Sequence, residues 1–142
     1  MTVNNKARHR ARRLALQGLY QWQFTQHPVA DIEANLLVSS KDSEIDEAYF
    51  KELLHGVIHE VSEIDTTLQP AVNRSLAGLT PIELTVLRIA VYELLHRLDI
   101  PWRVVINEAL ELNKTFGTQE GYRFVNGVLD VLAHQLRSAE IG

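Results

Sequence analysis

The chain has 142 residues, of which 46% are hydrophobic and 23% are charged, as is typical of one globular domain with a buried core. It contains no cysteine, which excludes disulfides, thiolate catalysis and cysteine-based metal centres. No run approaches the ~20 apolar residues of a membrane-spanning helix, and no apolar run of a secretory signal follows the basic N-terminus, so we expect a cytoplasmic protein.

Charge is distributed unevenly along the chain. The net charge is −4, yet the first thirty residues contain five lysines or arginines and no acidic residue, while the rest of the chain carries −9. A basic segment attracts a polyanion, and an acidic body repels one. The N-terminal segment is therefore the first candidate for binding a polyanion.

Helical periodicity accounts for the first half of the chain. Small and apolar side chains recur at three- and four-residue steps near the N-terminus, where Ala11, Ala15 and Gly18 would let another helix approach closely. Asp31 is suited to cap a short second helix, and Pro70 should kink or shorten a fourth. The predicted helices cover residues 7–24, 31–38 and 50–61, with a loop at 39–44, and a fourth helix starts at Ser62 or Asp65 and runs to residue 72.

The second half of the chain begins with a strong helix start. Thr80, Pro81 and Glu83 provide a cap, a proline in the first helical position and a capping box. Gly117 is predicted to end the next helix in a left-handed conformation. The predicted helices cover residues 82–98, which should be buried and central, 102–116 and 118–136. No period-two alternation predicts a strand, so the expected fold is all-α: a single compact domain, residues 1–142, of six or seven helices.

One face of the first helix carries groups that suit nucleic acid. Arginine binds phosphate and stacks on bases, side-chain amides can read base edges, and exposed aromatic rings stack on the bases of single-stranded RNA. The alternative is a solvated basic helix whose aromatic rings fold into the core. The residues on this face are Arg10, Arg13, Gln17, Tyr20, Gln21 and Phe24.

Other polar clusters give weaker signals. His55, His59 and Glu52 have helical spacing that a metal site would accept, but the sequence lacks the zincin pattern, and a solvent-exposed face accounts for them better. Glu108 and Glu111 could perform acid-base chemistry, yet neither a nucleophile nor a phosphate-binding loop accompanies them. We therefore expect no catalytic residue, no metal site and no cofactor.

Gly127, in the pair Asn126-Gly127, interrupts an otherwise good helix at a cost of about 1 kcal/mol relative to alanine. Close helix packing is the simpler reason for a glycine there. The alternative is a ligand or RNA that approaches the backbone beside Arg123 and Phe124.

Five sequence blocks together resemble the bacterial NusB family. They occur in family order and span almost the whole chain, so the combination is specific although each block alone is weak. The blocks are RLALQGLY from Arg13, FKELLHGV from Phe50, LRIAVYEL from Leu87, VINEA from Val105 with Phe116-Gly117, and FVNGVLD from Phe124.

This resemblance implies an all-α fold of two helical subdomains and a non-catalytic role in antitermination during transcription of ribosomal RNA operons. It implies binding of boxA-type single-stranded RNA together with NusE, a small-subunit ribosomal protein, within an antitermination complex on RNA polymerase. Some family members form homodimers, so a homodimer is a further possibility.

The resemblance also assigns roles to residues. Glu83 and Arg88 match the region that meets NusE, and acidic groups such as Glu83 suit a basic ribosomal protein. The pair Gly121-Tyr122 departs from the family pattern. The RNA-binding residues implied are Arg8, Arg10, Arg12, Arg13, Gln17, Tyr20, Phe116, Gly117, Arg123 and Phe124.

Two other functions compete with this one. NusB-like domains also occur attached to RNA cytosine methyltransferases, so the chain could be an accessory domain of an enzyme, although it contains no glycine-rich cofactor-binding region. The other alternative is a helical adaptor that binds only proteins.

Overall fold

The computed structural model describes residues 4–41 and 43–141. These residues form eight α-helices, two short 3-10 helices and no strand, which confirms the predicted all-α class. Seven of the α-helices have eight residues or more, in line with the predicted six or seven, and the eighth is a single turn. The helices are α1 (Asn5–Phe24), α2 (Val29–Ser39), α3 (Glu47–His59), α4 (Val61–Leu68), α5 (Pro81–His96), α6 (Trp102–Phe116), α7 (Gln119–Leu136) and α8 (Ser138–Ile141), with 3-10 turns at Gln69–Ala71 and Leu76–Gly78.

The chain divides into two compact units, Met1–His59 with α1 to α3 and Glu60–Gly142 with α4 to α8. This division into two helical units agrees with the two helical subdomains implied by the resemblance. Within the described ranges, no helix combines the length and the apolar character needed to cross a membrane.

In the first unit, α1 packs against α2 and α3 through its small residues. Ala11 and Ala15 are fully buried. A Cβ atom on Gly18 would lie 3.0 Å from methyl carbons of both Leu36 and Leu54, which is closer than side-chain carbons normally approach. The predicted close approach of another helix is therefore confirmed, and it leaves the opposite side of α1 facing solvent.

In the second unit, α5 is the central helix and packs against α4, α6 and α7. Its predicted capping box is present: the Glu83 N–H donates to Thr80 Oγ1 at 3.1 Å, and the Thr80 N–H donates to Glu83 Oε1 at 3.1 Å. Most of its side chains are buried, as the sequence predicted.

The C-terminal end of α5 is tied down by Arg137, which is 4% exposed. Its guanidinium donates to the backbone carbonyls of Glu93, Leu94, Arg97 and Ile100 at 3.0 to 3.2 Å and also pairs with Glu140. Glu140 in turn accepts a hydrogen bond from the Trp102 N–H at 2.8 Å. This backbone hydrogen bond and the bond from Arg137 hold the pKa of Glu140 below its usual value.

Two local predictions are wrong. Asp31 does not cap α2, because the helix already begins at Val29 with Pro28 at the N-cap. Gly117 is not left-handed: its φ of −112° and ψ of −161° are extended. Gly117 is instead constrained by space, since a Cβ atom there would lie 2.5 Å from the Asn113 Oδ1 atom.

Candidate nucleic-acid interface

The outward face of α1 presents the side chains that the sequence singled out. Arg13 and Gln17 are exposed, and Tyr20 and Phe24 are 39% and 61% exposed rather than folded into the core. The rings of Tyr20 and Phe24 meet edge to face with centroids 5.1 Å apart. A guanidinium, an amide and two aromatic rings thus follow one another along one face of the helix, an order that suits single-stranded nucleic acid.

Arg10 and Arg13 line two concavities on the surface of the first unit. One has a volume of about 270 Å³ and lies between α1 and the connection from α2 to α3. Another, of about 340 Å³, is also lined by Lys6 and His9. Arg10 donates from Nη1 to the carbonyl oxygen of Glu44 at 3.0 Å, and because this acceptor is neutral, the hydrogen bond orients the guanidinium without cancelling its charge.

Arg8 and Arg12 have a different environment. Arg12 is only 2% exposed, so the expectation that it presents its charge outward is wrong. At 100° per residue it lies beside the packing face of α1, where its guanidinium carbon is 5.4 Å from the centre of the Tyr49 ring. Arg8 is half-buried over the same ring at 4.5 Å, with Nε 3.9 Å from Asp46 Oδ2. Both arginines are therefore partly engaged inside the first unit.

The remaining four predicted RNA-binding residues belong to the second unit. Gly117 and Arg123 are exposed, whereas Phe116 and Phe124 are half-buried. Gly117 lines a concavity of about 380 Å³ together with Lys114, Thr118, Gln119 and Tyr122. The Phe124 ring is covered by the guanidinium of Arg74 at 4.7 Å. A cationic and aromatic surface is thus present in this unit too.

Glu83 and Arg88, the predicted partner-binding residues, make contacts within the second unit. Glu83 is 8% exposed and completes the capping box. Arg88 forms a two-pronged ion pair with Asp65, with Nε–Oδ1 and Nη2–Oδ2 distances of 3.0 and 2.8 Å. Guanidinium and carboxylate groups pair well in this two-pronged geometry. The contacts that Glu83 and Arg88 make within the unit therefore stabilise α5.

Comparison with known proteins decides the family. The family model described as "NusB family" matches residues 9–134. The chain belongs to the NusB family. A transcription antitermination protein NusB from Pseudomonas fluorescens is 52% identical over 134 residues, covering 94% of this chain and 81% of that protein. The NusB protein of Marinobacter nauticus is 49% identical over 133 residues, covering 94% and 84%. The NusB family is thus one of transcription antitermination proteins, not of enzymes.

Solved NusB structures share the fold. NusB from T. maritima is 31% identical, with a TM-score of 0.82 over 95% of this chain and 94% of that one. A structure of antitermination factors NusB and NusE in complex with dsRNA contains a chain that is 25% identical, with a TM-score of 0.83 over 93% of this chain and 99% of its own length. The similarity covers nearly the whole chain in both cases.

Several surface residues of this NusB-family chain escaped the sequence prediction. Arg74 lies in an irregular segment, where no periodicity indicates which ring it will cover. Lys114 and Tyr122 lie on either side of Gly117 in the sequence. The short polar connection between α6 and α7 could have indicated that they lie close together, because such a connection brings the ends of both helices together.

Gly127 is not explained by helix packing. A Cβ atom added there would meet nothing within 4 Å, and the residue is exposed. The simpler of the two sequence-based reasons is therefore wrong within the described part of the chain, and the alternative, close approach of a ligand to the backbone, stays a prediction.

The histidines considered for a metal have ordinary surroundings. His55 Nε2 lies 2.6 Å from Glu33 Oε1, so it pairs with a carboxylate of α2. In the second unit, ligand atoms of Glu60, Glu63 and His96 lie within 4.8 Å of one another. Exposed groups of this kind are common without a metal, and we assign them no role.

Proposed function

We propose that this chain is a non-catalytic RNA-binding antitermination factor. It binds boxA-type single-stranded RNA of ribosomal RNA operon transcripts together with NusE, and it acts within an antitermination complex on RNA polymerase in the cytoplasm. The RNA contacts come from Arg8, Arg10, Arg13, Gln17 and Tyr20 in the first unit and from Phe116, Gly117, Arg123 and Phe124 in the second.

The observation that carries this proposal is the exposed face of α1. Arg13 and Gln17 precede an outward-facing aromatic pair, Tyr20 and Phe24, on a helix whose opposite side is packed with small residues. Arginines supply charge for phosphates, and rings supply stacking surface for unpaired bases. Arg12 is left out because its guanidinium is buried.

NusE as the protein partner is supported by the family and by charge. A solved relative forms a complex with NusE and double-stranded RNA. The chain beyond the basic N-terminal thirty residues carries −9, which is complementary to a basic ribosomal protein. Since Glu83 and Arg88 are engaged within α5 and with Asp65, they would shape the surface that NusE meets rather than form its exposed contacts.

The test is a titration of a boxA-type RNA and a scrambled RNA of equal length and composition, with and without purified NusE, at several salt concentrations. We expect tighter binding to the boxA-type RNA and a gain in affinity when NusE is added. Equal affinity for both RNAs under every condition would overturn specific recognition. No gain with NusE would overturn the joint complex.

A further inference from the structure

The polar pocket of about 270 Å³ in the first unit has a composition that the general RNA-binding proposal does not explain. One wall comes from α1 and the other from the end of α2 and the connection to α3. The volume is close to the lower end of small-ligand pockets. The lining residues are Arg10, Arg13, Leu14, Gln17, Ser39, Ser40, Ser43 and Ile45.

The two arginines account for only part of this pocket. They can hold one phosphate group, because guanidinium groups match phosphate oxygens in geometry and charge. Three of the four residues of the facing wall are serines, whose side chains carry no charge and add nothing to phosphate attraction at long range. A ligand that uses both walls needs a phosphate and, next to it, hydroxyl groups.

The hydrogen bonds of the serines define what they can still accept. Ser39 Oγ donates to the Leu36 carbonyl at 2.9 Å, and Ser40 Oγ donates to the Leu37 carbonyl at 3.3 Å. Their protons thus point into the end of α2, while each oxygen keeps lone pairs. A ligand hydroxyl that donates a proton suits these oxygens.

The described lining residues include no aromatic ring, so the pocket offers no stacking surface for a base. The exposed rings of Tyr20 and Phe24 lie farther along α1. The pocket therefore suits the sugar-phosphate part of a nucleotide, whose base is left for another surface.

We propose that this pocket holds the ribose and phosphate of one nucleotide, with the 2′-hydroxyl donating to Ser39 or Ser40, and that it is where the chain distinguishes RNA from DNA. This inference rests on the proposed RNA-binding function. The 2′-hydroxyl is the group that lets a protein tell RNA from DNA at a given position.

The experiment compares single-stranded boxA-type RNA with DNA of the corresponding sequence, using the double variant Ser39→Ala/Ser40→Ala. We expect the variant to bind RNA about three- to tenfold more weakly, as for one lost hydrogen bond, and to bind DNA as the unaltered protein does. The salt dependence of RNA binding should not change, because no charge is removed. Ser62→Ala, an exposed serine of α4, is the matched control and should leave both affinities unchanged.

A second measurement begins with the unaltered protein and then repeats the titrations with the serine variant. RNAs carrying a single 2′-deoxy substitution, one position at a time, are titrated against the unaltered protein. One or two positions should account for most of the loss, and the loss at those positions should disappear in the serine variant.

The outcomes separate this inference from the proposed function. Normal RNA binding with an unchanged ratio of RNA to DNA affinity in the serine variant overturns the pocket assignment and leaves the RNA-binding function intact. Equal affinity of the unaltered protein for RNA and DNA also overturns the pocket assignment and leaves the RNA-binding function intact. If the unaltered protein binds no RNA with or without NusE, the proposed function fails and the pocket assignment fails with it.

Discussion

Two glycines of this chain show how differently the same residue type is constrained. At Gly117 an added Cβ atom would lie 2.5 Å from Asn113 Oδ1 and 3.0 Å from the Asn113 carbonyl oxygen. Asn113 is fully buried, and its Nδ2 donates to the Thr118 carbonyl at 3.0 Å, so it has little room to move. At Gly127 an added Cβ atom meets nothing.

We predict opposite effects on stability for Gly117→Ala and Gly127→Ala. The first forces Asn113 to shift and should lower the free energy of unfolding by about 1–3 kcal/mol, as overpacking does. The second removes an exposed helical glycine and should raise it by up to about 1 kcal/mol. Urea denaturation of both variants measures the difference. A Gly117→Ala variant as stable as the unaltered protein would show that Asn113 does not constrain this position.

The sequence correctly predicted the exposure of some arginines of α1 but not of others. Periodicity located the helix, its small-residue face and the outward positions of Arg13 and Gln17, because these depend only on neighbours along the helix. Arg12 borders the packing face, and its burial depends on the Tyr49 ring, which is distant in sequence. Long side chains at such border positions can turn either way, so a single sequence does not decide them.

We predict that Arg12→Ala destabilises the protein whereas Arg13→Ala does not. Removal of the buried Arg12 side chain loses packing and the contact with the Tyr49 ring, at a cost of about 1–3 kcal/mol. Arg13 is exposed, and its loss should change the free energy of unfolding by no more than about 0.5 kcal/mol. Thermal unfolding followed by circular dichroism compares the two; equal melting temperatures would contradict the assignment of Arg12 to the core.

At the scale of elements, α5 depends on a residue from the far end of the chain. The last carbonyls of a helix lack partners within it. Arg137 supplies a donor to the Leu94 carbonyl and a second donor to the Glu93 carbonyl, which also accepts from the Arg97 N–H. It also reaches the carbonyls of Arg97 and Ile100 in the turn before α6. The sequence predicted α5 and α7 separately, but nothing in their periodicity indicated that one arginine joins them.

We predict that Arg137→Met strongly destabilises the second unit. The variant keeps an apolar stem but removes the Arg137 donors from the Leu94 and Ile100 carbonyls, and each buried carbonyl left unpaired costs about 1–3 kcal/mol. The Glu93 and Arg97 carbonyls keep a backbone donor each, from the Arg97 and Ile100 N–H groups. Arg103→Met is the control, because Arg103 is exposed and should change stability little. Hydrogen exchange of amides in the last turn of α5 should speed up in the first variant only. Unchanged protection of that turn would show that Arg137 is not what holds it.

At the scale of the whole molecule, opposite charges are separated along the chain, with +5 in the first thirty residues and −9 in the rest. Two explanations of RNA attraction follow from this. Either RNA responds to the net charge of the protein, in which case any lost cation has the same effect, or it responds to local contacts with phosphates. Binding of RNA by a chain with a net charge of −4 already requires that local contacts outweigh the average repulsion.

The salt dependence of RNA binding separates these explanations. For single strands, the slope of log affinity against log salt is about −0.7 for each phosphate that is neutralised. We predict that Arg10→Gln/Arg13→Gln reduces the steepness of this slope by about 0.7, as expected for the loss of the one phosphate that the two arginines hold. The control Lys51→Gln/Arg103→Gln removes the same charge from exposed positions on α3 and α6 and should leave the slope unchanged. Equal changes for both pairs would mean that net charge governs binding, and the face of α1 would then lose its special role.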